Sequence, residues 1–372
     1  MAKGQHATVL SDIVQKSIAM IHGLIKRLLA GLLLASLVMG AGIAPALAQR
    51  EIPETVETSG VRFLTPDTLA RIDTGLKWLS VRQNEDGAFG VRRGYGRNVA
   101  VVSLAGMAWL SSGSSPGRGP YGANIQRATD FILSSCRSSG FINVPEGQSH
   151  GPMYGHGFAT LYLAEVYGMT PRKDIREKLE KAVRLIISCQ NKEGGWRYEN
   201  EPNEADVSVT VCQIMALRAA RNCGLFVPKD VVDRCIDYAK QCQNDDGGFR
   251  YQLVRRSSSQ FARSAAGLVA LYSAGVYDGT EIARALAYLE RHRPGGMIDP
   301  HYYYGHYYAV QAQYQAGGDH WNQWFPRIRD QLLNDQQKDG SWSDLTFSNE
   351  YATAMSCIIL QIPNNHLPIF KR

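Results

Sequence analysis

Two short stretches carry side chains suited to proton transfer. Met153-Tyr154-Gly155-His156-Gly157-Phe158 and Tyr303-Tyr304-Gly305-His306-Tyr307-Tyr308 share a Tyr-Gly-His centre. Imidazole changes charge near neutral pH and can work as acid or base, and a tyrosine ring can hold a cation or stack on a sugar. A third stretch, Glu204-Ala205-Asp206-Val207-Ser208, sets two acids ahead of an apolar helical run, where Asp206 reads equally well as an N-cap. Arg255, Arg256 and Arg263 bring positive charge to the start of another such run. The plainer reading of the paired Tyr-Gly-His is a packing motif at helix starts, repeated because the units are homologous.

An array must position these residues. Cys189-Gln190-Asn191-Lys192-Glu193-Gly194-Gly195-Trp196-Arg197-Tyr198 recurs as Cys242-Gln243-Asn244-Asp245-Asp246-Gly247-Gly248-Phe249-Arg250-Tyr251, about 53 residues later, and such self-similarity marks a repeat architecture. An earlier copy lies at Gln83 to Phe89 and a later one at Gln337 to Trp342. Each turn follows an amphipathic, charged helix such as Ile175 to Cys189 and precedes a small, apolar one such as Phe261 to Ser273. The pattern predicts about six helix pairs, with the charged members outside, the apolar members inside and the turn-to-inner-helix loops on one face. Both terminal units look like ordinary members rather than polar caps, which favours a closed ring over an open solenoid. In a six-unit ring the two Tyr-Gly-His stretches, three units apart, face each other across the mouth.

The first 48 residues are read as a secretory signal. Lys26-Arg27 precede an apolar run from Leu28 to Met39, and Ala46-Leu47-Ala48 fits a cleavage site; Met20 as the start would give a more usual signal length. Residues 49–64 then form an N-terminal extension and 65–372 the toroid domain. The formal charge is +6; the leader holds half of it, and the rest is too weak and dispersed for nucleic acid. The apolar run is short for a membrane span, so membrane association without a span is the expectation for an exported, periplasmic or extracellular protein. The seven cysteines are odd in number, and Cys136, Cys189 and Cys242 fall one repeat apart at helix ends. That placement favours free core thiols over a disulfide framework.

The turn, with its helix-end Gln, polar loop, Gly and Trp or Phe, resembles the QW-type repeat of the squalene-hopene cyclase and protein prenyltransferase β-subunit superfamily. The resemblance covers nearly the whole of the chain after the leader and implies an all-α (α/α)6 toroid with a central, largely apolar cavity. It gives the turn a structural role, stitching the ring without chemistry. Cyclases of the superfamily protonate an alkene with an aspartic acid in a DxDD motif; Glu204 and Asp206 match its first and middle acids, and Val207 stands where the last would be. Prenyltransferase β subunits bind zinc through Asp, Cys and His. Asp233-Arg234-Cys235 has the letters but lies in an outer helix, so neither a metal nor a cofactor is expected.

The resulting expectation is an exported, cyclase-like or transferase-like toroid that binds or transforms a hydrophobic isoprenoid-type molecule. Asp206, His156 and His306 are its candidate catalytic residues, and Tyr154, Tyr304, Glu204 and Arg263 its candidate ligand contacts. The alternatives are a non-catalytic scaffold for an envelope partner protein and a carbohydrate-active α/α-barrel enzyme.

Overall fold

The computed structural model describes residues 60–371 except 91–93, 146, 148, 171 and 297–300; the expected leader and cleavage site lie outside the described residues. Among the described residues, twelve α-helices alternate in two rings. The outer ring consists of α1 (Pro66–Arg82), α3 (Gly122–Ser134), α5 (Lys173–Ser188), α7 (Lys229–Gln241), α9 (Thr280–Arg291) and α11 (Gly318–Asp335). The inner ring consists of α2 (Val99–Ser111), α4 (Pro152–Met169), α6 (Val207–Asn222), α8 (Phe261–Ser273), α10 (Tyr302–Ala316) and α12 (Asn349–Gln361). Each inner helix packs on the next, and α12 returns to α2 and α1 to close the ring. This is the all-α toroid that the repeat implies.

The sequence sorts the helices between the rings. In α5 only Ile175, Leu179, Ala182, Val183 and Ile186 are buried, one stripe at three- and four-residue spacing. In α6 burial runs almost all round, from Val207 to Ala220, because it has neighbours on every side. Side-chain caps fix where three inner helices begin: Asn98 accepts from Ala100 N, Asp206 from Val209 N and Ser348 from Tyr351 N.

The units are joined at the turn. Gln190 Nε2 donates to Gly194 O in its own turn (2.9 Å) and to Val231 O at the start of the next outer helix (2.8 Å). Gln83 spans Gly87 and Asn124 in the same way, and Gln243 spans Gly247 and Glu281. In the last unit Gln336 spans Gly340 and Arg71, linking the sixth pair to the first. The copy expected to begin at Gln337 therefore begins one residue earlier, since Gln336 stands four residues before the turn glycine, as Gln190 does. The aromatic fastens the turn to its own outer helix, Trp196 Nε1 donating to Ile186 O (2.7 Å) and Trp342 Nε1 to Leu332 O (2.8 Å).

All seven cysteines are free thiols, with Cys136 and Cys223 half-buried and the others buried. The short helix Val61–Phe63, from the segment expected as an N-terminal extension, sets Phe63 against Trp321 and Phe325 of α11. At the other end of the chain, two single-turn helices, Ile362–Asn364 and Pro368–Phe370, run under the ring. Leu367, Ile369 and Phe370 are buried there, and Arg218 of α6 donates to Lys371 O.

The turn glycine shows how closely neighbouring units approach. Gly194 has φ 99°, and a Cβ on it would lie 2.1 Å from Arg234 O of the next outer helix. Gly224 has a similar φ of 90° with nothing within 4 Å. Urea unfolding should therefore give Gly224→Ala a loss of roughly 1 kcal/mol, the cost of the left-handed backbone alone. Gly194→Ala should lose roughly 3 kcal/mol or more, because backbone must also move; equal losses would contradict the stitching role.

Candidate functional site

The N-terminal ends of the inner helices surround a cavity of about 270 Å³. Its walls are aromatic. Tyr154, Tyr304 and Tyr351 come from inner helices, and Tyr95, Tyr198, Tyr251 and Phe347 from the loops before them. Val101, Leu104, Phe158 and Met355 supply the apolar part, while Ser149, His150, Gln260, Arg263 and His301 add polar edges. Beyond Phe158, Tyr307 and then Phe370 of the C-terminal tail follow at ring separations of 6.0 and 6.4 Å, filling the opposite end.

Two of the expected ligand contacts lie in this wall, and Tyr304 also donates to Ser208 O at 2.8 Å. Burial pushes the hydroxyls of Tyr154 and Tyr304 well above the ordinary tyrosine range. His156 and His306 lie elsewhere, which corrects their expected place at the rim. They follow the tyrosines by two residues, about 200° round a helix, so when Tyr154 and Tyr304 face the cavity the histidines face the outer ring.

His156 is fully buried; its Nδ1 accepts from Ile142 N (3.2 Å) and its Nε2 lies 3.3 Å from Ala182 O of α5. The hydroxyls of Thr210, Ser264 and Thr353 accept in the same manner from Trp196, Phe249 and Trp342 N. His156 is thus the second unit's version of a turn anchor, and burial holds its pKa down to about 4. His306 packs among Phe261, Tyr302 and Trp324, and burial lowers its pKa to about 3.

Glu204 is exposed and ion-paired with Arg197 (2.6 Å), outside the cavity wall, so its expected ligand contact is also corrected. Asp206 lies just behind the wall. One oxygen caps α6 through Val209 N (2.9 Å), and the other accepts from Tyr251 Oη at 3.4 Å. Tyr251 is in turn closely hydrogen-bonded to Tyr198. Burial raises the Asp206 pKa from 3.8 to about 6, against the opposing pull of the cap and of Arg197.

Arg263 joins the wall from the first turn of α8. Nη2 donates to Ser258 O (2.8 Å), and the guanidinium lies 5.8 Å from the Tyr251 ring centroid. Its buried Nε has no hydrogen-bond partner, and among the described residues no carboxylate pairs with it. Burial lowers its pKa.

Sequence reasoning missed Tyr198 and Tyr251 as wall residues. The signal was present, since each follows the turn aromatic by two residues in both full copies of the repeat. A turn assigned wholly to stitching thus also delivers two hydroxyls to the cavity.

The sequence matches the prenyltransferase alpha-alpha toroid domain over residues 49–184, 174–293 and 226–360, and the chain belongs to that family. Similar solved structures include a type II terpene cyclase from Scytonema in complex with geranylgeranyl dihydroxybenzoate, at 15% identity and TM-score 0.52, covering 82% of this chain and 100% of that one. Cellobiose 2-epimerase from Bacillus thermoamylovorans is similar at 12% identity and TM-score 0.60, over 82% and 99% of the two chains. An alpha-1,6-mannanase of Salegentibacter is similar at 8% and 0.55, over 80% and 99%. At these identities the likeness is one of fold. No curated protein matches the chain.

A native pKa of about 6 for Asp206 against 3.8 means that keeping it ionised costs stability as pH rises through that interval. Asp206→Asn retains the capping oxygen. Its unfolding free energy from urea titration should exceed that of the parent above about pH 7, by up to roughly 3 kcal/mol, and match it near pH 4. The buried histidines act in the opposite sense, losing stabilisation as pH falls below about 6.5. A free-energy difference for Asp206→Asn that does not grow between the two pH values would remove the buried acid.

Proposed function

We propose that this toroid binds a hydrophobic, isoprenoid-type molecule bearing an anionic head, and that it does so outside the cytoplasm. The observation that carries the reading is Arg263, a cation in an aromatic cavity without an acidic partner among the described residues. A charge half drawn out of water is less well solvated unless paired, and a ligand carboxylate or phosphate would pair it. Leu104, Phe158 and Met355 then receive the chain. At about 270 Å³ the space is at the small end of ligand pockets, commonly roughly 300–1,000 Å³, and suits a single short chain. The leader, read from the sequence, supports export.

Binding is favoured over alkene cyclisation. Protonating an isolated double bond calls for a strong acid in direct contact, whereas Asp206, with its pKa raised to about 6, stands behind Tyr251. Glycoside hydrolysis usually needs two carboxyl groups flanking the bond, and the described wall contains neither Asp nor Glu.

Calorimetry with farnesoate and farnesol tests the proposal at about pH 7.5, where a carboxylate is fully ionised. Farnesoate should bind the parent more tightly than farnesol. Arg263→Ala should lose roughly tenfold or more in farnesoate affinity, as expected for a charge-assisted hydrogen bond, with farnesol changed much less. Binding of neither compound, or equal effects on both, would overturn it.

A further inference from the structure

Tyr198, Tyr251 and Asp206 form a chain from the cavity wall to a buried carboxyl group. Its sense is reversible. With Asp206 ionised, Tyr251 donates to it, Tyr198 donates to Tyr251, and the open side of Tyr198 Oη offers only lone pairs. With Asp206 protonated, Asp206 donates to Tyr251, Tyr251 donates to Tyr198, and the Tyr198 hydrogen is free to point into the cavity. Tyr251 also has two guanidiniums near it, those of Arg197 and Arg263, each 5.8 Å from its ring centroid. The chain therefore adjoins, through Tyr251, the arginine expected to meet the ligand head, and Tyr198 shares the cavity wall with that arginine.

We infer that this chain couples ligand binding to proton uptake: when an anionic oxygen arrives beside Arg263, Asp206 takes one proton from solvent and Tyr198 turns its hydroxyl hydrogen onto that oxygen. No covalent bond to the ligand forms or breaks, and one proton enters with each anion. The inference rests on the anion-binding cavity proposed above.

The surroundings of Asp206 agree with a single titrating acid. Tyr154 of α4, Tyr304 of α10, Cys212 of its own helix, and Tyr238 and Cys242 of α7 and its C-terminal end all face it as neutral groups whose ionisation burial opposes. Arg197 is the charged neighbour, and Glu204 pairs with it from the solvent side. A second negative charge entering the cavity disfavours the Asp206 carboxylate further, so anion binding and protonation reinforce each other.

Two measurements separate the chain from the ligand reading. In ligand-free protein, lowering the pH from about 8 to about 5, across the carboxyl range raised by burial, should bring up infrared bands of protonated carboxyl groups, to which buried Glu165 of α4, raised to about 7, also contributes. The component that disappears in Asp206→Asn belongs to Asp206 and should be displaced in Tyr251→Phe; an Asp206 component that Tyr251→Phe leaves unmoved overturns the chain. With farnesoate at about pH 7, where the free ligand is ionised, calorimetry in buffers of different ionisation enthalpy should give uptake approaching one proton per ligand. Asp206→Asn, whose amide fixes the donor sense while its oxygen keeps the cap, should bind farnesoate with no uptake. Tyr198→Phe should bind roughly fivefold more weakly, for loss of one hydrogen bond, and with less uptake than the parent, charge repulsion alone remaining. Zero uptake in the parent, or uptake retained in Asp206→Asn, overturns the inference. Failure of farnesoate to bind overturns the coupling together with the proposed function, while the infrared band still decides the hydrogen-bond chain.

Discussion

The structure depends on a glutamine amide that donates two hydrogen bonds at once, one to the carbonyl of its own turn and one to the next outer helix. Both acceptors belong to backbone that helix geometry alone leaves unsatisfied or shared. The bond therefore closes the turn and sets the distance to the next unit together. Its occurrence between α11 and α1, through Gln336, gives the ring closure the same chemistry as interior joints. Once these distances are fixed, the starts of the inner helices converge on one face, and side chains far apart in sequence share one wall.

That arrangement puts opposing demands on Asp206. Capping α6 favours the charged form, since backbone N–H groups at a helix start attract an anion. Burial among tyrosines favours the neutral form, and burial is the larger effect. The group is left close to balance near neutral pH, where a small change in the cavity can decide its protonation. Arg263 lies near the same point with the opposite charge. An acid kept from full ionisation and a cation kept from full hydration, separated by one tyrosine ring, give the mouth its electrical character.

The fold was legible because the repeated turn is short and local, and four of the six units keep its Gln, Gly and aromatic. The cavity was only partly legible. Tyr154 and Tyr304 were found because they open inner helices, and Asp206 because it stands at a cap. His156 and His306 were placed on the wrong side of those helices by reading proximity in sequence as proximity in space. Two residues along a helix is close to the opposite face. Thr210, Ser264 and Thr353 held the correcting clue, occupying in other units the place that His156 fills. Tyr198 and Tyr251 sit inside the stitching turn, where their second use shows only in the repeated spacing from the turn aromatic.

Closure of the ring also orders events in time. The last inner helix packs on both the first outer and the first inner helix, and the C-terminal residues Leu367, Ile369 and Phe370 bury themselves beneath the ring. A chain interrupted before α12 would leave the apolar sides of α1 and α2 without their partner, and one interrupted before Phe370 would leave the underside of Tyr307 bare. Contacts between chain ends form late and carry a high entropic cost until they do. Ring closure thus registers whether synthesis has passed α12: a chain stopped short of it leaves hydrophobic surface uncovered, the feature that holds nascent chains on chaperones and directs proteases to defective ones.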